Sequence, residues 1–324
     1  MKVKVKDIWA SLKQSGSDIG TYNITKLSAA LAYYTVFALA PMLIVLISVV
    51  SFFYGKEAAQ GEIYGQIKSV VGSDAATSIQ EIISKAALSP SFTFASVVGV
   101  IALVFSATGV FAEIQSSINL IWNLKIKPKK GGIFKMLKIR LISFSLIISL
   151  GFIALVSLLV NYLVDALSQR LERFLPKDTL YISYIINVAI TLLAISILFG
   201  IIFRFLPDAK IEWKDVRVGA VTTAVLFIIG KLIIGLYLSK SSPGSAFGAA
   251  GSVIIILLWV YYSSIILYFG AAFTKNYAQE TGRHIYPNDY AVFTEQVEVE
   301  NKGSLQDQNS KQVKDHNDDA AKQQ

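Results

Sequence analysis

The 324-residue chain has no cysteine. That excludes disulfides, thiol chemistry and zinc–thiolate sites. Charge is scarce as well. Asp, Glu, Lys and Arg together fill 16% of the positions, where a soluble domain has about a quarter. Histidine occurs only as His284 and His316, beyond the last apolar run. No HExxH, GxSxG, P-loop or Rossmann fingerprint is present. The apolar stretches hold no cluster of acids suited to a divalent metal. Asp318 and Asp319 adjoin each other, but in a polar tail that would not fix their geometry. The sequence therefore assigns no catalytic residue, no cofactor and no metal, and reads as a protein that is not an enzyme.

What the chain has instead is apolar length. Hydrophobic residues fill 54% of it, with 19 Phe, 15 Tyr and 4 Trp. Several runs exceed the roughly 18–20 apolar residues that cross a bilayer core of about 30 Å. The fold class expected is all-α: a polytopic membrane protein with six transmembrane helices and the lipid bilayer as its main partner. The spans read as about 27–54, 92–112, 140–166, 180–206, 216–238 and 246–273. They divide the chain into a cytoplasmic amphipathic segment (1–26), a six-helix domain (27–280) and a disordered cytoplasmic tail (281–324). The net charge of +8 is assigned to basic loops beside the membrane, with no nucleic-acid partner. MKVKVKDIWA is basic, but no apolar run ending in a cleavage site follows it closely, so no cleavable signal peptide is expected.

The segments between the spans carry their own signals. Val5, Ile8, Trp9 and Leu12 recur at i, i+3, i+4 and i+7, with Lys2, Lys4, Lys6 and Lys13 around them. This amphipathic helix suits anionic lipid at the cytoplasmic face, or equally a berth on the protein itself. Pro41 falls in mid-span and predicts a kink there. Residues 56–90 carry two short apolar stripes separated by Gly72, Ser73 and Asp74. They read as two amphipathic helices in the first external loop.

Basic residues set the orientation. Five precede the first span: Lys2, Lys4, Lys6, Lys13 and Lys26. The loop after the second span brings Lys125, Lys127, Lys129, Lys130, Lys135, Lys138 and Arg140. The loop after the fourth brings Arg204, Lys210, Lys214 and Arg217. The opposite loops are poorer in bases, so both termini are expected in the cytoplasm. The charged stretch RFLPDAKIEWKDVRVGA (204–220) then becomes a short cytoplasmic hinge between spans four and five.

Polar residues inside spans are costly and draw attention. Lys231 lies about 10 Å from the outer end of span five by helix rise. Asn187, Asn161 and Ser252, with Ser48 and Ser96, fall in the same outer third. They either line an outward-open polar pocket, or Lys231 snorkels to headgroups while the others bond between helices. Gly244, Gly248 and Ser252 recur every fourth residue and mark close helix packing at the entry to span six. On the inner half, Tyr33, Tyr34 and Thr35 face the level of Thr222, Thr223 and Tyr261 to Ser264. Glu113 sits at the inner end of span two as an interfacial carboxylate.

SAALAYYTVFALAPMLIVLISVV (28–50), GVFAEIQSSINLIWNLK (109–125), RFLPDAKIEWKDVRVGAVTTAVLFIIGKLIIGLYL (204–238) and SAFGAAGSVIIILLWVYYSSIILYFGAAFTK (245–275) follow in order. Together they resemble the YihY/BrkB family of bacterial inner-membrane proteins, over roughly residues 5–280. The resemblance implies a polytopic inner-membrane protein of unsettled molecular function. Some members carry virulence or serum-resistance labels. Others carry the label ribonuclease BN, generally regarded as a misassignment. GAAFT has Ala272 where the family often has an acid, so a mechanism needing that carboxylate does not transfer. Three functions follow: moving or binding a small solute, ion or lipid; a non-transporting envelope scaffold tied to resistance or virulence; and a membrane nuclease, against which the missing motifs speak.

The expected topology is testable because the chain has no cysteine of its own. In intact cells, an impermeant thiol reagent is expected to label Ser73→Cys and to spare Ser304→Cys. Labelling of Ser304→Cys alone would reverse the orientation.

Overall fold

The computed structural model describes residues 5–38, 92–127, 179–241 and 249–294. The Pro41 kink, the helices within 56–90, the 140–166 span with Asn161, and Gly244 and Gly248 lie outside them, as does the chain after residue 294. Among the described residues the chain is overwhelmingly helical. The helices are α1 (Val5–Thr21), α2 (24–38), α3 (Phe92–Ile121), α4 (Thr179–Phe205), α5 (Trp213–Ser241) and α6 (Ala249–Glu280). Four strands of two or three residues accompany them: β1 (Leu124–Ile126), β2 (Ala209–Lys210), β3 (Tyr286–Pro287) and β4 (Ala291–Phe293).

Among the described residues two stretches are long and apolar enough to cross a membrane, Trp213–Leu236 and Val253–Glu280, and Thr191–Phe205 is a shorter apolar helix. On α5, Val221, Val225, Ile229, Leu232 and Leu236 recur at i, i+4, i+8, i+11 and i+15, and all are exposed. Val216, Ala220, Thr223, Ala224 and Ile234 are buried on other sides of the same helix. A continuous exposed apolar stripe fits lipid as the solvent, where the helix also satisfies its own backbone polar groups.

Helix pairing follows from small residues. α5 packs between α4 and α6. A Cβ added at Gly219 would collide with Thr274 Oγ1 of α6, and one at Gly270 of α6 would collide with Thr223 Oγ1 of α5. Each threonine turns its hydroxyl back on its own helix, Thr223 to Gly219 O and Thr274 to Gly270 O, both at 2.7 Å. The hydroxyls are thus satisfied along their own helix while they, with the methyls beside them, fill the notch opposite. A step of four up one helix is matched by a step of four down the other, so the pair is antiparallel and in register. Farther along, Gly230 meets Tyr262 in the same way.

Turns gather the helix ends at one polar end of the bundle. Asn23 (φ 51°) and Asn123 (φ 56°) adopt the left-handed conformation where α1 and α3 stop. Gly282 (φ 72°) closes α6, with Arg283 N bonded to Ala278 O and Gly282 N to Gln279 O. This is the double bond pattern of a glycine C-cap. Pro207 ends α4: it has no N–H, and it disfavours helical geometry at Leu206. β1 pairs antiparallel with β4 (Leu124↔Phe293) and β2 with β3 (Ala209↔Pro287).

The last pairing corrects one boundary. A disordered tail was expected from residue 281, yet residues through 293 fold back and pair with the ends of α3 and α4. The mixed composition of 281–293 hid this, because such short strands carry too few residues for an alternating pattern. α3 likewise continues to Ile121, past the expected end at 112, so Glu113 sits within a helix rather than at its end.

Gly219→Ala is expected to cost about 1–3 kcal/mol by overpacking, read as a lower thermal unfolding midpoint in detergent. Adding Thr274→Ala is expected to recover part of the loss. An equal loss in the single and double variants would refute this contact.

Candidate functional site

The polar end is built around three buried carboxylates, Asp208, Asp215 and Asp18, and one buried lysine, Lys275. Asp208 follows Pro207 in the loop between α4 and α5 and is 3% exposed. Its Oδ2 accepts from Asn119 Nδ2 (2.8 Å), and its Oδ1 from Gln115 Nε2 (3.1 Å) and Tyr290 Oη (2.9 Å). Its own N–H donates to Asn119 Oδ1 (2.9 Å), and its carbonyl accepts from Asn288 N (3.0 Å). Gln115 and Asn119 are one helical turn apart on α3, so one face of that helix supplies both amides. Burial is the main cause holding the Tyr290 phenol above its ordinary value, and the Asp208 charge and the hydrogen bond to it add to the rise. A phenol raised in the fold contributes stability that is full below its unfolded value of about 10 and fades as pH climbs through the folded value.

Asp215, in the first turn of α5, is fully buried and ion-paired with Arg283. The glycine C-cap of α6 places that arginine. Arg204 clamps the same loop by donating to Ile211 O, and its guanidinium lies 5.8 Å from the Trp213 ring centroid. Lys275 Nζ donates to Ile121 O (2.9 Å) and Tyr22 Oη (2.7 Å). A cation at the last carbonyls of α3 complements that helix's dipole. Asn276 Nδ2 donates to Ser15 Oγ (3.0 Å) and Asp18 Oδ2 (2.8 Å), which fastens α1 to α6. Trp122 Nε1 donates to Ala271 O (2.9 Å). Ala272 is fully buried in the apolar cluster.

This layer fits buried polar groups that are hydrogen-bonded to hold helices in place. Its donors and acceptors are spent on one another. Asp208, Asn119, Tyr290, Lys275 and Asn276 were not among the candidate residues read from the sequence. A signal was present: GVFAEIQSSINLIWNLK puts Gln115 and Asn119 four apart near the end of an apolar run, and Lys275 and Asn276 follow one directly.

The polar residues expected in the outer third are described less fully. Lys231 is exposed on α5, beside exposed Ile229, Leu232 and Ile233. Asn187 lies on α4 and Ser252 on α6. Gly200 of α4 faces Ala220 of α5. Counting eleven residues outward along both helices sets Lys231 level with about residue 189, within about half a turn of Asn187. Gly230 meets Tyr262, so Ser252 lies about 15 Å beyond the Lys231 level at about 1.5 Å per residue. The polar group next to Lys231 along the chain contact is the Tyr262 hydroxyl, which the sequence analysis had placed on the inner half.

Comparison with known proteins gives a consistent answer. The family model described as "Virulence factor BrkB" matches residues 17–289. The chain is 30% identical over 262 residues to a "UPF0761 membrane protein" of Pseudomonas aeruginosa, covering 77% of this chain and 58% of that protein. It is 25% identical over 254 residues to "UPF0761 membrane protein MS0032" of Mannheimia succiniciproducens, covering 78% and 83%. It is 24% identical over 246 residues to the "Putative ribonuclease-like protein YfkH" of Bacillus subtilis, covering 75% and 86%. No solved structure matches.

Asp208→Asn is expected to cost about 1–3 kcal/mol, since an amide cannot accept at both positions and strands a buried donor. Lys210→Gln breaks an ion pair with Asp289 whose side chains are 63% and 94% exposed, and is expected to be near-neutral. Thermal unfolding in detergent separates the two, and equal midpoints would contradict the assignment.

Proposed function

The chain belongs to the Virulence factor BrkB family of membrane proteins, and on that premise we propose that it is a six-span inner-membrane protein that binds and moves a small anionic solute or lipid past Lys231. Both termini are cytoplasmic in this reading, and the Asp208 layer is the cytoplasmic end. Lys231 carries the proposal. It is a charged, exposed side chain on a stretch of α5 that is otherwise apolar. It lies about 27 Å along the helix from Trp213, near the far side of a core of about 30 Å. A lysine costs about 2.5–3.5 kcal/mol at the helix centre on insertion scales and less near an interface, and an intramembrane cation marks a solute path by default. Its ammonium attracts an anion, with Asn187 near its level and the Tyr262 hydroxyl close by.

A second reading is a non-transporting envelope scaffold. The polar layer favours it, because densely hydrogen-bonded helix ends make a stiff platform. The ribonuclease-like name of the B. subtilis relative is not carried over. RNA hydrolysis needs an acid–base pair or a metal, and the sequence offers no motif for either.

Lys231→Met keeps the length and removes the charge. It is expected to accumulate at least to the unmodified level in membranes and to fail in complementing a deletion strain, with Lys231→Arg complementing. Full complementation by well-expressed Lys231→Met would make Lys231 a snorkelling residue and end the proposal.

A further inference from the structure

The orientation of α1 is the reverse of a helix docked by its apolar side. Ser11, Ser15 and Asp18, at i, i+4 and i+7, are its buried residues, and Asn276 of α6 bonds two of them. Val5 and Trp9 are 81% and 71% exposed. With Leu12 and Gly16 they recur at i, i+4, i+7 and i+11, about a third of a turn round the helix from the docked face at about 100° per residue. Lys6 and Lys13 are exposed on the far flank of that stripe. A Cβ at Gly16 would meet open space.

We propose that α1 is an in-plane membrane helix, latched to α6 by its polar face and resting its Val5–Trp9–Leu12–Gly16 stripe on anionic lipid. Three observations favour lipid over a protein partner. The stripe is flanked by cations, the charge complement of acidic headgroups. Asn276 lies about 35 Å along α6 from Val253 at about 1.5 Å per residue, just past a core of about 30 Å, so the latch sits at headgroup depth. At the same end, exposed Phe205 and Trp213 meet edge to face at 6.0 Å between ring centroids. Exposed aromatics of this kind are enriched at membrane–water interfaces. The polar latch satisfies Ser15, Asp18 and Asn276 against one another and leaves Val5 and Trp9 exposed for the bilayer.

The test uses the full chain in nanodiscs, with a nitroxide on a single introduced cysteine. Gly16→Cys reports the stripe, and Gln14→Cys, exposed on the opposite side, is the control. In nanodiscs of mixed phosphatidylglycerol and phosphatidylcholine, the Gly16 label is expected to show a severalfold higher ratio of oxygen to aqueous nickel accessibility than the Gln14 label. Pure phosphatidylcholine, or Lys6→Gln with Lys13→Gln, is expected to lower that ratio. A Gly16 label as water-accessible as the control overturns the proposal. So does a ratio unchanged by lipid charge and lysine removal. Disulfide-linked dimers of unlabelled Gly16→Cys in native membranes would assign the stripe to a second copy and overturn it too.

Discussion

The close approach of α5 and α6 sets the frame for the rest of the described structure. In lipid, apolar side chains gain nothing by leaving one apolar phase for another, so helices associate where their backbones come near. Gly219 and Gly270 give that nearness, and Thr274 and Thr223 fill it from opposite sides. Because the two contacts are reciprocal, they fix register as well as distance. Sliding the pair by one turn would drive both threonines into backbone that has no notch. Register in turn decides what meets at the ends: Asp215 at the start of α5 reaches Arg283 just past the end of α6. It also brings the Tyr262 hydroxyl to the turn that carries Lys231.

At the polar end the problem changes from packing to satisfaction. Six helix termini come together there, each with unpaired carbonyls or N–H groups. Lys275 caps the last carbonyl of α3, the Gly282 turn closes α6, and the loop from Pro207 to Glu212 is held by Asp208 and Arg204. Asp208 is the hub because one side chain and its own backbone gather α3 and the segment after α6. A buried carboxylate with only neutral donors stays put while every donor is in place. That makes the layer a rigid footing for the apolar helices beyond it.

Much of this was legible beforehand, and the limits have physical causes. Helical class and membrane character follow from the apolar runs, because a bilayer permits few other ways to satisfy a backbone. The charged stretch 204–220 was visible as an interruption, though its role as the binding centre of the polar end was not. That role depends on Asn119 and Tyr290, about 90 and 80 residues away, and sequence distance carries no pairing information. The glycine–threonine pairs were overlooked in favour of Gly244, Gly248 and Ser252, although each helix shows glycine and threonine four apart. Small residues flag close packing without saying against which helix. β3 and β4 went unseen for a related cause: such short strands exist only by virtue of the edge they pair with. The amphipathic α1 was read, but which of its faces docks was decided by Asn276, far along the chain.

Register between α5 and α6 is the claim on which the levels of Asp215, Tyr262 and Lys231 all rest. Cysteines placed in pairs, in a chain that has none, measure it directly in native membranes. Thr223→Cys with Gly270→Cys, whose Cβ atoms need part by only about 1 Å to reach disulfide geometry, is expected to form an intramolecular disulfide on mild oxidation, identified by mass spectrometry of the linked peptide. Moving the second cysteine one turn, to Ile266, is expected to abolish efficient linkage. Efficient linkage of the shifted pair, with none at Gly270, would contradict the account.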